Sequence, residues 1–405
     1  MSQADRPFLP YGRHSIDEED VAAVAQVLRS GSLTGGPVVG QFEAALAETV
    51  GAPHAVACAN GTAALHMAAL AIGLGPGTAA VVPAVTFLAT ANAVRYTGAE
   101  VVFADVDPDS GLMEAEHLRA ALARHAGPPV KAAFPVHLNG HCAELEALSA
   151  EAERQGLTLV EDACHALGGS WVAEDGEAVP LGSARYGALC TFSFHPVKAI
   201  AMGEGGTVTT RDPQLAERLR RLRNHGMTRD PADFTEHDQA FDATGAANPW
   251  YYEMPEIAYN YRASEINCAL GLSQLSRLPR FLDRRRALAK AYDEALAALS
   301  PVIRPVARTP RCRSGWHLYA VRIDYGALDL SRAEVMQRLK AAGIGTQVHY
   351  LPVNRQPYYR ARYGRVGLPG ADAYYEACLS LPLFPEMEQA DVECVVAELK
   401  TIAEA

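Results

Sequence analysis

The feature that most constrains this chain is a rhythm. From about Ala52 onward, short apolar runs of strand length alternate with stretches of helical periodicity. The runs are HAVACA (54–59), AAVVP (79–83), EVVFADV (100–106), VKAAFPVHL (130–138), LTLVEDA (157–163), GALCTFSFH (187–195) and GTVTT (206–210). Helices fill most of the gaps, for example Thr62 to Gly73 and Ala143 to Gln155. Strands joined through helices pair in parallel, and the helices then cover both faces of the sheet. The expected class is therefore α/β with a mostly parallel sheet.

The texture changes after about residue 260. A long helical stretch, Ser264 to Leu299, leads to a strand at HLYAVRI (317–323) and a helix at SRAEVMQRLKAAG (331–343). This predicts a large domain over 15–260 and a smaller α+β domain over 261–405, with residues 1–14 packed on the smaller one. A length of 405 residues suits that division. The first helix is expected from Ser15, where Ser15 and Glu18 read as a capping box. A glycine-rich loop, GSLTGGP (31–37), follows it, and the polar stretch Thr228 to Ala247 reads as a mobile loop.

Composition removes several functions. The net charge of −11 argues against nucleic-acid binding, which needs clustered basic charge to neutralise phosphates. No run of about 18 uninterrupted apolar residues, the length that spans a membrane, appears, and Met1 to Pro10 lacks an apolar signal core. Eight widely spread cysteines form no C-x-x-C pair, and several sit in apolar runs as buried thiols. A cytoplasmic location is expected.

Open parallel sheets bind ligands beyond the carboxyl ends of their strands. That rule selects four places. Asn60-Gly61-Thr62 joins a strand to a helix start, where free backbone N–H groups and the helix dipole suit a phosphate, or simply cap the helix. Glu161 and Asp162 end a very apolar strand, so their side chains take opposite faces. One can enter a pocket while the other serves structure, or both can be helix-start acids favoured by the dipole. Lys198, in Ser193-Phe194-His195-Pro196-Val197-Lys198, follows another strand end, where a lysine can be desolvated into a Schiff-base nucleophile or, as most lysines do, simply lie on the surface. Asn260-Tyr261-Arg262 precedes the long helix and can reach a ligand or cap that helix. His137 and His141 have metal-ligand spacing, but Asn139-Gly140 breaks the helix such a site needs, so no metal is expected. Gly203-Glu204-Gly205-Gly206 is not a phosphate loop by spacing, and neither a G-x-S-x-G elbow nor a Rossmann fingerprint is present.

Taken in order, these motifs resemble the DegT/DnrJ/EryC1/StrS family of pyridoxal-phosphate (PLP) sugar aminotransferases. The resemblance rests on Asn60 to Leu65, Pro83 to Phe87 with Ala89 to Ala93, Glu161-Asp162-Ala163-x-His165-Ala166, Ser193-Phe194-His195-x-x-Lys198, Gly203 to Gly206 and Asn260-Tyr261-Arg262. It runs from Gly31 to about Leu383. It implies an aspartate-aminotransferase-like fold, a homodimer with shared active sites, and PLP carried on Lys198. It also implies that Asp162 pairs with the pyridine nitrogen, that Phe87 stacks on the ring, and that Gly61, Thr62 and Ser193 hold the phosphate with the partner's Asn260. His165 is placed near the cofactor. Cys164 departs from the alanine of many members without removing a catalytic group.

The longer strings FHPVK…GEGG (194–206) and PWYYEM…YNYR…EINCALGLSQL (249–275) resemble members serving pseudaminic acid biosynthesis. Those members imply a UDP-linked 4-keto-6-deoxy-N-acetylhexosamine as acceptor and glutamate as donor. Thr34, Arg229, His317 and Tyr319 are candidates for gripping the substrate. Three rivals are an aminotransferase for another nucleotide-linked 4-keto or 3-keto sugar, a PLP-dependent sugar dehydratase, in which the lysine is replaced by histidine, and a non-catalytic binding protein. The joint presence of Lys198 and Asp162 speaks against the last two.

Overall fold

The computed structural model describes residues 7–404. Its centre is a seven-stranded sheet built from β1 (His54–Cys58), β2 (Ala79–Pro83), β3 (Glu100–Ala104), β4 (Val130–Ala133), β5 (Thr158–Asp162), β8 (Leu189–Ser193) and β9 (Gly206–Thr210). Two short strands, β6 (Ser170–Val172) and β7 (Ala178–Pro180), lie between β5 and β8 in sequence and belong to a separate sheet. The spatial order is β1-β9-β8-β5-β4-β2-β3, and β9 alone runs antiparallel to the others. β2 is buried along its whole length, as expected for a strand covered on both faces. β9 carries three threonines yet is equally buried. Thr209 and Thr210 satisfy their hydroxyls on the carbonyls of Gly182 (2.6 Å) and Ala188 (2.8 Å).

All seven expected strands are present, several of them shorter. The run 130–138 yields only Val130–Ala133, because Pro135 has no N–H with which to continue the ladder. The first helix, Glu18–Leu28, is capped by Asp17 and Asp20 rather than by Ser15 and Glu18. Asp20 is fully buried and also accepts from Gln274 at 2.6 Å, and Arg277 pairs with both acids. These long-range partners shift the cap by two residues. The helical stretch after Ser264 is two helices, Glu265–Ser276 and Leu278–Leu296, parted at Arg277 where Pro279 opens the second.

Beyond it, β10 (Ile303–Pro305), β12 (Tyr319–Ile323) and β13 (Cys378–Leu381) form an antiparallel sheet. Helices Leu278–Leu296, Arg332–Ala341 and Gln389–Ala403 share a buried core with it. Leu9 bridges to Ile344 on the same body, while residues 1–6 lie outside the described range. β11 (Cys312–Arg313) crosses back to pair with β6. The stretch 228–247 is polar, as expected, and holds a short helix, His237–Ala240. Glu253 pins it by accepting the N–H groups of Thr235 and Glu236 at 2.8 Å.

Candidate active site

Three strand ends meet at one glycine. Gly206, the first residue of β9, pairs with Cys58 at the end of β1 and with Ser193 at the end of β8. A Cβ there would lie 2.3 Å from the carbonyl oxygen of Asn60, so a side chain cannot be accommodated. Gly61 has the same constraint from the other side, since its Cβ would fall 2.7 Å from that of Ser193. The two glycines bring the N-terminus of helix Gly61–Ala71 against the end of β8. Asn60 caps this helix, accepting from Ala63 N–H at 2.9 Å. The first-turn N–H groups of Gly61 and Thr62 have no acceptor within the helix, which suits an anion.

A cavity of about 660 Å³ opens at this edge, and Gly61, Thr62, Phe87, Asp162, Ser193 and Lys198 all line it. Asp162 is the last residue of β5, level with Thr191 of β8. Its Oδ2 accepts from the Thr90 hydroxyl at 2.7 Å and its Oδ1 from Cys164 N–H at 3.2 Å. Glu161 faces the other way and accepts from His137 Nε2 at 2.9 Å inside the protein. Lys198 sits on the turn after β8, where its own N–H bonds the His195 carbonyl at 2.8 Å. Burial pushes its amine below the usual lysine range, partly opposed by Cys164 and Asp162. A larger fraction is therefore neutral, as a nucleophile or base requires.

The opposite wall holds three histidines. Asn139 N–H donates to His165 Nδ1 at 3.4 Å, so the neutral ring carries its proton on Nε2, 3.1 Å from the Tyr350 hydroxyl oxygen. Nε2–H donates to that oxygen, which leaves the Tyr350 proton free for an acceptor in the cavity. His317 lies 4.3 Å from His165, ring centre to ring centre. Its backbone carbonyl, with those of Trp316 and Leu383, accepts from the buried Arg285. His349 bonds Ser380 Oγ at 2.8 Å. Burial holds all three rings below the usual histidine range, His349 down to about 3, and nearby Lys198 adds to the effect on each.

Four residues named from sequence are not in this cavity. Thr34, Arg229 and Asn260 are exposed on the surface. Arg229 instead lines a second groove with Gly35, Gly36 and Arg262. Tyr319 does not reach the cavity. It is fully buried in the C-terminal core, stacked on Tyr292 at 4.5 Å, with its hydroxyl donated to Asp293. The sequence reading also passed over Tyr350, His349 and the hydroxyl of Thr90. Tyr350 and His349 follow no helical or strand period, so only their place in the fold reveals them.

The sequence matches the model of the DegT/DnrJ/EryC1/StrS aminotransferase family over residues 14–400. The chain belongs to that family. The aminotransferase PseC of Helicobacter pylori, involved in pseudaminic acid biosynthesis, superposes with a TM-score of 0.85 at 27% identity, over 98% of this chain and 99% of that one. The PLP form of Spr1654, a putative sugar aminotransferase of Streptococcus pneumoniae, gives 0.85 at 28% identity over the same shares. DesI, solved with its TDP-sugar product, gives 0.83 at 34% identity over 98% of this chain and 93% of that one. This member is accordingly a PLP-dependent sugar aminotransferase with the aspartate-aminotransferase-like fold. Its residues fit the cofactor on geometric grounds. A helix terminus with free N–H groups beside Ser193, a lysine of lowered basicity and an oriented carboxylate all line one cavity of sufficient size.

Proposed function

We propose that this aminotransferase moves an amino group from glutamate to a UDP-linked 4-keto-6-deoxy-N-acetylhexosamine, of L-altro configuration, as in pseudaminic acid biosynthesis. The observation that carries the catalytic part is the meeting of Lys198 and Asp162 in one cavity with the Gly61–Ala71 helix terminus. The substrate part rests on the strings 194–206 and 249–275, and is supported by the likeness to PseC.

When bound, PLP supplies an electron sink through which an amino group passes between substrates. The protein supplies the rest. Gly61, Thr62 and Ser193 would hold the phosphate, and Phe87 would cover one face of the ring. Asp162 would meet the pyridine nitrogen, held in place by Thr90 and Cys164. Lys198 would anchor the group and then move a proton at the reacting carbon, for which a neutral amine is needed. His165, His317 and His349 are uncharged, so this wall presents hydrogen bonds rather than positive charge to a sugar. The Tyr350 proton is available to a carbonyl or hydroxyl oxygen there.

A homodimer with shared sites is part of the proposal. Trp250, Tyr252, Met254, Ile257 and Tyr259 are 72%, 51%, 58%, 87% and 48% exposed in the single chain. So large an apolar stretch calls for a covering surface. The partner would then bring Asn260, Arg229 and the Thr34 loop toward the cavity, adding one cation, Arg229, and polar donors for a diphosphate.

DesI, solved with its TDP-sugar product, favours a second reading, a TDP-linked keto-sugar as acceptor. The deciding measurement is kcat/KM with glutamate for the UDP-linked L-altro ketone, its D-gluco epimer and the dTDP ketone. Preference for the first supports the proposal. Preference for the dTDP sugar replaces the substrate and leaves the aminotransferase standing. A methyl group discriminates by only ~1–3 kcal/mol, so some activity on neighbouring ketones is expected.

A further inference from the structure

Behind the histidine wall, two cysteines distant in sequence meet. Cys142 N–H donates to Cys312 Sγ at 3.3 Å. Around them the two segments are zipped together: Thr309 Oγ1 donates to the Cys142 carbonyl at 2.6 Å, and Cys312 N–H to the Thr309 carbonyl at 3.0 Å. The neighbouring Cys142 and His141 side chains draw the Cys312 thiol down to about 5, whereas burial pushes Cys142 up. The pair thus sets a less basic Cys312 sulfur, on a partly exposed edge strand, beside a more basic and buried Cys142 thiol, the order of basicity that thiol–disulfide exchange uses. The other six cysteines form no such pair among the described residues, and nothing in the aminotransferase chemistry uses these two.

Both cysteines are joined to the cavity by short rigid segments. Three residues before Cys142, Asn139 gives its N–H to His165 Nδ1. Two residues after Cys312, Ser314 Oγ accepts from Trp316 N–H, and His317 follows. Between the segments there is no slack, since a Cβ on Gly140 would meet Ser314 Oγ at 2.9 Å and Trp316 N at 3.0 Å.

We infer that Cys142 and Cys312 are a redox dithiol, oxidised to an internal disulfide by low-molecular-weight disulfides, which alters the seating of His165 and His317 in the active-site wall. The Cys312 thiolate attacks one sulfur of the oxidant RSSR, and a first RS⁻ leaves with the bonding pair. The Cys142 sulfur, losing its proton, then attacks the Cys312 sulfur and expels the second RS⁻. The two thiols lose two electrons and two protons, and RSSR becomes two RSH.

The test uses the whole PLP-loaded enzyme with oxidised glutathione as probe. Thiol titration after denaturation should fall from eight free thiols by two, and non-reducing peptide mapping should join Cys142 to Cys312. Cys312→Ser should remain folded, lose no pair of thiols and be insensitive to oxidant. Alkylation of Cys312 should continue below neutral pH and shift to higher pH in Cys142→Ser. Eight thiols still free, a different linkage, or a lasting glutathione adduct on Cys312 beside a free Cys142 would each overturn the dithiol. A reversible Cys142–Cys312 bond that leaves kcat and KM unchanged would overturn its link to the active site. None of these outcomes depends on which sugar is aminated.

Discussion

Thr90 donates its hydroxyl hydrogen to Asp162 Oδ2 at 2.7 Å, and Thr86 stands behind it at 2.8 Å. The order of donors is fixed by chemistry. A carboxylate only accepts, so Thr90 spends its one proton on Asp162, and Thr86 must donate to Thr90. The chain is buried throughout, which makes each link costly to leave unmade. Thr90→Val keeps the shape and deletes the donor, at a cost of about 1–3 kcal/mol for the unpaired group. If Asp162 serves the cofactor ring, kcat should fall about tenfold, equivalent to ~1.4 kcal/mol, with PLP still bound. The visible absorbance of the bound cofactor should also change its pH dependence. Unchanged kcat and spectrum would show that Thr90 does not position Asp162.

Lys198 stands apart from the other four lysines. Lys131, Lys290, Lys340 and Lys400 are all exposed, whereas Lys198 lines the cavity with its amine made less basic by burial. Borohydride reduction of the enzyme should therefore fix pyridoxyl on Lys198 alone, as read by peptide mapping. Lys198→Ala should abolish turnover and that label. Labelling that persists on another lysine in the variant would assign the role elsewhere.

The histidine wall predicts an acid limit to stability. His165, His317 and His349 titrate lower in the folded protein than in the unfolded chain, where a histidine titrates near 6.5. Below that pH the unfolded chain takes up protons that the folded one refuses. The stability from keeping these rings neutral is full above about pH 6.5 and declines as pH falls toward the folded values. Each ring should cost up to about 1.4 kcal/mol per pH unit across that window. Denaturant midpoints between pH 7 and 5 should fall more steeply for the wild type than for His349→Gln. Parallel slopes would contradict the neutral assignment.

How far the site could be read from sequence depended on whether a residue's direction follows from its own strand. Asp162 and Glu161 point apart because neighbours on a strand do, and Gly61, Ser193 and Lys198 share an edge because parallel strands share a polarity. Tyr319 shows where that logic stops. His317 and Tyr319 are two apart in one expected strand, yet β12 starts only at Tyr319, and Trp316, before His317, takes a positive φ of 50°. The kink turns His317 to the cavity and leaves Tyr319 with Val321 and Ile323 in the C-terminal core. The Ser15 cap failed for a similar reason, since its winner is decided by Gln274 and Arg277 over 250 residues away. Tyr350 reaches His165 across 185 residues and leaves no local pattern at all.

The last prediction concerns Asn260, whose neighbours set its direction. Tyr261 turns inward, its hydroxyl 3.1 Å from His66 Nδ1 and its N–H on the Arg223 carbonyl at 3.0 Å. Arg262 holds Asn224 at 2.5 Å. Asn260 is left exposed at the end of the stretch Trp250 to Tyr259, and its side chain makes no hydrogen bond among the described residues. If a second copy covers that stretch, Asn260 reaches a phosphate held at Gly61, Thr62 and Ser193 of the partner. Lys198→Ala and Asn260→Ala chains, each poorly active alone, should then recover activity when mixed, because one site in the hybrid receives both intact residues. Random exchange makes about half the dimers hybrid, each with one of two sites intact. Recovery should therefore approach a quarter of wild-type activity. Ile257→Glu, placed on the most exposed apolar residue, should lower the mass seen by light scattering toward one chain. Proven subunit exchange without recovery would place the whole site within a single chain, and an unaltered mass would remove Ile257 from the interface.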